Sequence, residues 1–225
     1  MVPRLYLLLA FLTAGQASAA TIIVVGADSA SGVSGLWIDE NGAATQASWV
    51  GGIDITAAGY NRMVYCADLF TNISVGTYNT VLDFSDPATY QRVAWLMQYE
   101  WPSAIYTGST LQTEGAGFQL AIWDILTDVG DGFGTTTTAA GRVSQSTNSS
   151  YATDSAVLAA ALKYETDSLG KTSTSFGVVY HNTDSNNNTV QTLMGTTPEP
   201  ATLAMIFGGL ALIAVGRFRR RATHR

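Results

Sequence analysis

Phe118-Gln119-Leu120-Ala121-Ile122-Trp123-Asp124 sets a glutamine inside an apolar run, and Tyr65-Cys66-Ala67-Asp68 carries the single cysteine of this 225-residue chain. Gln119 and Trp123 stand four apart, so on a helix they share a face, the indole stacked beside the carboxamide. Phe118, Ile122, Ile125, Leu126 and Val129 continue at helical spacing. The segment therefore reads as a buried helix whose glutamine needs a polar partner.

Strand composition lies on both sides of this helix. Thr21 to Val25, Leu36 to Ile38, Met63 to Phe70, Val75 to Val81, Phe176 to Tyr180 and Val190 to Met194 are β-branched or aromatic and are separated by Gly, Ser, Asn and Asp clusters. In Met63 to Phe70, alternation puts Val64, Cys66, Asp68 and Phe70 on one face and Met63, Tyr65, Ala67 and Leu69 on the other. This sets Cys66 mid-strand, facing inward or at a rim. One helix is announced by Asp86 as N-cap and Pro87 at its first position, with Pro102 as its stop; a second spans about Glu114 to Asp128; a third follows Asp154 or Ser155 and runs toward Gly170 as C-cap. Gly130 to Tyr151, rich in Gly, Thr and Ser, reads as an exposed connection. The fold class is α+β, a β-sandwich or barrel with a packed three-helix segment.

Both ends of the chain carry addresses. Arg4, the apolar run Leu5 to Leu12 and the small residues Ala17-Ser18-Ala19 read as a secretory signal peptide over 1–19. Residues 20–195 form one domain, and 196–225 hold Pro198-Glu199-Pro200, an apolar run over 201–216, and Arg217, Arg219, Arg220, Arg221 and Arg225. At ~1.5 Å per residue the run reaches roughly 24 Å, thin for a bilayer but sufficient as a transmembrane helix if the arginines snorkel. The positive cluster stays cytoplasmic, so the domain is exported.

Charge and cysteine usage narrow the possible functions. Residues 20–195 hold sixteen acidic and five basic residues, a net charge of −11. No surface of this kind neutralises phosphates, which argues against nucleic-acid binding, whereas cationic amines would be attracted. Cys66 has no internal disulfide partner in an oxidising compartment, so it must be buried, paired between chains or chemically occupied. Neither Asp128-Val129-Gly130-Asp131 nor Asp184 to Asn188 has EF-hand spacing, and no metal or cofactor is expected.

The two opening stretches together resemble the thioester domains of Gram-positive surface adhesins, in which an aromatic-or-Leu, Cys, apolar segment accompanies an apolar-Gln-x-x-apolar-Trp segment. The resemblance implies an intramolecular thioester between the Cys66 sulfur and the Gln119 side-chain carbonyl. Such a bond acylates an amine in a single covalent event, without enzymatic turnover. Tyr65 and Trp123 would exclude water, and Asp68 and Asp124 would orient the amine or accept its proton, or act as structural hydrogen-bond partners. Pro-Glu-Pro, the glycine-bearing apolar run and the arginines resemble the PEP-CTERM sorting signal, processed by exosortases in Gram-negative, exopolysaccharide-producing bacteria. The implied partners are the exosortase machinery, the inner membrane before processing, and amine-bearing surface molecules or exopolysaccharide. The implied destination is the cell surface or extracellular matrix.

Two rival functions stand beside this. A cysteine hydrolase would use Cys66 with His181 and Asn182 or Asp184, but a mid-strand cysteine lacks the electropositive setting such a thiolate needs. A passive matrix or carbohydrate-binding protein would need no covalent chemistry, its loops Ala27 to Gly35 and Asp184 to Asn188 binding or simply solvated.

Overall fold

The computed structural model describes residues 18–196 apart from 41–42, 70, 84–87, 129, 131, 133–142, 147–152 and 174–176. Seven strands are present among these residues: β1 (Ser18–Glu40), β2 (Ala43–Ala57), β3 (Tyr60–Cys66), β4 (Gly76–Asp83), β5 (Val143–Gln145), β6 (Gly177–Thr183) and β7 (Leu193–Thr196). Four helices accompany them: α1 (Ala88–Tyr99), the single turn α2 (Pro102–Ile105), α3 (Gly108–Asp128) and α4 (Ser155–Ser168).

All the pairings are antiparallel, and they close. β1 pairs with β2 along one edge and with β4 along the other; β2 pairs with β3, β3 with β7, β7 with β6 and β6 with β4. Six strands thus form a barrel, which removes the open edges a sandwich would keep. β5 adds to the far end of β1 at Ile38 to Glu40.

Alternation in the strands makes two cores. Val64 and Cys66 of β3, Val178 and Tyr180 of β6, and Leu193 of β7 join Ile22, Ile38, Val50 and Ile55 inside the barrel. Tyr65, Ala67, Val179 and Met194 face the other way and pack with Val93, Leu96 and Met97 of α1 and Tyr164 of α4. α3 belongs to both cores, Ala116, Leu120 and Trp123 on the barrel side and Phe118, Ile122 and Ile125 on the helical side. Every residue from Gly115 to Ile125 is buried, as expected of a helix that is apolar all round.

Several boundaries differ from the sequence expectations. Leu36 to Ile38 and the expected loop Ala27 to Gly35 belong to β1, which absorbs the latter through register shifts at Val24/Gly26 and Ala27/Gly32. β2 was not expected because Gly51-Gly52 interrupts it. The glycines are tolerated there because β1 approaches too closely for side chains: a Cβ on Gly51 would meet the Ser31 carbonyl and Gly32 Cα. β3 ends at Cys66, so the cysteine is strand-terminal rather than mid-strand. β7 begins at Leu193, and Val190 contributes only its N–H, donated to the Asn182 carbonyl. α3 starts six residues before Glu114, at Gly108.

Pro102 opens the short α2, its missing N–H costing nothing at a helix start. Asp86 and Pro87, and most of the Gly130 to Tyr151 connection, lie outside the described residues. Asp154 caps α4 as expected, its Oδ1 accepting from the N–H groups of Ala156 and Val157 at 2.9 and 3.1 Å. Gly170, just past α4, adopts φ +67°. At the ends, β1 takes in Ser18 and Ala19, two residues ahead of the expected mature start, and β7 reaches Thr196. No helix among the described residues is long and apolar enough to cross a membrane, and the apolar run 201–216 lies outside them.

Candidate functional site

β2 and β3 part company just before the cysteine. Their pairing ends at Ile53↔Val64, while β3 stays paired to β7 through Cys66↔Leu193. The Ala67 N–H donates to the Thr192 carbonyl at 2.8 Å on the β7 side. By alternation, the Cys66 N–H and carbonyl face the side that β2 has left. Two buried backbone groups would be unpaired there.

Gln119 fills that gap. The Cys66 N–H donates to Gln119 Oε1 at 2.8 Å, and Gln119 Nε2 donates to the Cys66 carbonyl at 2.8 Å. The carboxamide stands in for a residue of the missing strand, with no exposure of its own. The helix thus brings the two sequence-selected residues into direct contact across 53 positions of chain. Burial, with the Asp68 charge adding to it, pushes the Cys66 thiol far above its usual range, so the sulfur is held protonated.

Cys66 borders a cavity of about 350 Å³ whose wall includes Trp49, Leu69, Asn72, Trp123 and Gln191. Trp123 is 3% exposed, and its Nε1–H meets no acceptor. Gln191 is anchored by donating to the Asp68 carbonyl at 2.8 Å, and Trp49 by donating to the Gly52 carbonyl at 2.9 Å. Trp49, Asn72 and Gln191 were not singled out in the sequence. Trp49 sits on the unexpected strand; Gln191 fell within the expected strand Val190 to Met194, whose composition gave no reason to single out its one amide.

The supporting residues divide. Trp123 stands at the cavity. Tyr65 does not: it lies on the opposite face of β3, edge-on to Trp101 at 5.4 Å and tilted on Phe118 at 4.9 Å, sealing the helical side. The Asp68 carboxylate accepts from Thr71 Oγ1 at 2.7 Å in the turn after β3. Asp124 is fully buried and accepts from the Gly132 N–H at 3.3 Å, with Arg92 close enough for its charge to be felt. Neither carboxylate lines the cavity.

His181 is on the outer face of β6, 3.8 Å from Asp83, whereas its neighbours Val178 and Tyr180 share the barrel interior with Cys66. The cysteine and histidine are thus on opposite sides of the sheet, which gives a hydrolase no general base. Asn182 donates to the Gln191 carbonyl at 2.8 Å, and Asp184 accepts from Asn186 and Asn188 within its own turn. His181→Ala is expected to leave the alkylation rate of Cys66 within twofold of the parent, read by adduct mass; a loss of tenfold or more would restore the hydrolase. Among the described residues no cluster of three or more His, Cys, Asp or Glu side chains is arranged to hold a metal.

At the other end of the chain, residues 196–221 match the PEP-CTERM protein-sorting motif. The chain carries an exosortase sorting signal. Pro198, Glu199, Pro200, Arg219, Arg220 and Arg221 all fall within the PEP-CTERM match, which marks the protein for export and cell-surface sorting. No curated protein and no solved structure matches the chain at a significant level. The PEP-CTERM segment lies almost wholly outside the described residues, beginning at the last residue of β7.

Proposed function

We propose that the exported domain closes an internal thioester between Cys66 Sγ and the side-chain carbonyl carbon of Gln119 and uses it once, to acylate an amine on a target surface. What supports this is the two-point clamp of the Gln119 carboxamide on the Cys66 backbone. A carboxamide is a poor electrophile, and a protonated thiol is a poor nucleophile. The clamp compensates for both by fixing the carboxamide on the backbone of the residue that bears the thiol, which removes translational freedom between them.

Charge develops where a donor already stands. As sulfur adds to the carbonyl carbon, Oε1 takes up negative charge against the Cys66 N–H, in a site from which water is excluded. The thiol proton passes to Nε2, the C–N bond breaks, and ammonia leaves; the S–C bond replaces the C–N bond with no change of oxidation state. An incoming amine later reverses the roles, forming an amide at Gln119 and returning the proton to Cys66. The cavity beside Cys66 supplies the way in.

The experiment is methylamine treatment of the full chain followed by peptide mass mapping. A methylamide on Gln119, appearing together with a newly titratable Cys66 thiol, is the expected result. An unmodified Gln119 beside a thiol that was free from the start would overturn the proposal.

A further inference from the structure

The cavity beside Cys66 carries information about its guest. Its wall among the described residues, which includes Trp49, Asn72, Trp123 and Gln191, has no carboxylate, cation or imidazole. Asp68, two residues beyond Cys66, makes its charge felt at the sulfur but does not line this space.

Two kinds of nucleophile fit it poorly. An alkylammonium such as a lysine side chain would leave water for a wall that offers no counter-charge, and its usual pKa near ~10 keeps it protonated at neutral pH. A simple alcohol needs a base to remove its proton as it attacks, and no wall residue is one. An amine of low basicity, flanked by hydroxyls, meets both conditions. Neighbouring oxygens bring such an amine toward the ~8 of an α-amino group, so that a useful fraction is already neutral. Its hydroxyls can exchange hydrogen bonds with Gln46, Asn72, Gln191, Thr45 and Ser48, and its ring can lie against Trp49 or Trp123. A volume of about 350 Å³ is at the lower end of ligand cavities, suited to one or two sugar rings.

We infer that this cavity selects an amino sugar as the nucleophile for the thioester, an inference about substrate class that rests on the reading of Cys66 and Gln119 given above. Glucosamine enters with its amine neutral, and attack at the Gln119 carbonyl carbon forms an amide while the Cys66 thiol regains its proton. The S–C bond breaks as the C–N bond forms.

The test compares glucosamine with Nα-acetyl-lysine on the full chain, following adduct mass and normalising to the concentration of free base. Glucosamine is expected to react about tenfold faster, the factor one well-made hydrogen bond supplies, and Asn72→Ala at the exposed rim to narrow the gap. Equal rates, or faster lysine, would overturn the inference. Saturation-transfer NMR on Cys66→Ala, which can form no thioester, examines the cavity on its own: glucosamine signals are expected and lysine signals are not. If the parent forms no adduct at all while Cys66→Ala still binds glucosamine, the covalent chemistry fails and the sugar cavity stands; absence of glucosamine signals sinks the cavity inference itself.

Discussion

Gln119→Ala is expected to lower the unfolding free energy of the domain by about 4 kcal/mol. The substitution leaves the Cys66 N–H and carbonyl buried without partners, each costing roughly 1–3 kcal/mol, and opens a void beneath α3. β2 cannot return to cover them, since its pairing with β3 has ended at Val64. Denaturant midpoints with an unchanged slope would measure the loss. Cys66→Ala is the companion variant: it removes the sulfur but keeps both backbone hydrogen bonds, so, measured like Gln119→Ala against a parent opened with methylamine, its cost should stay near ~1 kcal/mol, as for a small buried hydrophobe. The pair separates the structural part of the clamp from its chemistry. A loss below about 1 kcal/mol for Gln119→Ala would mean that the carboxamide does not hold the parted strands together.

Gly115→Ala gives the second large effect, and its sign is the test. On helix propensity alone, alanine in place of glycine stabilises by about 1 kcal/mol. Here the new Cβ would fall on the backbone carbonyl of Ser31, where β1 bulges against α3 and no side chain can swing away. Ser31 is itself fully buried, its hydroxyl donating to Met63 Sδ at 3.1 Å, so the strand has no room to retreat. The net expectation is a loss of about 2–3 kcal/mol, and of several degrees in Tm for a domain of this size. Because α3 carries Gln119, the displacement also loosens the carboxamide clamp. A Gly115→Ala protein as stable as the parent would place α3 farther from β1 than described.

How much of this could be read from the sequence differs by element. The apolar run around Gln119 gave a buried helix correctly, because a segment apolar on every side has few other stable settings. The alternation in β3 also held, separating Cys66 from Tyr65: on a strand buried on both faces, a neighbour in sequence belongs to the other core. β2 was missed because Gly51-Gly52 signals a break locally, whereas the glycines answer a close approach by β1 that no local pattern encodes. Asp124 was drawn to the site by its adjacency to Trp123, yet one position along a helix turns a side chain by about 100°, toward Arg92 and the Gly132 N–H rather than toward the cavity. Whether the barrel closes was open from strand composition alone, because closure is a matter of which edges meet. The sorting signal was the most legible part, since its order of Pro-Glu-Pro, apolar run and arginines is linear and depends on no tertiary contact.

The intact mass of the freshly purified chain, beside that of Cys66→Ala, tests the central claim most directly. A parent lighter than its calculated mass by one ammonia, with Cys66→Ala at full mass and no titratable thiol in the native parent, is the predicted result. Full mass in both proteins, with glutamine rather than glutamate at position 119 and a thiol that titrates on unfolding, would contradict it: the carboxamide clamp would then be a device for joining α3 to a parted barrel, and nothing more.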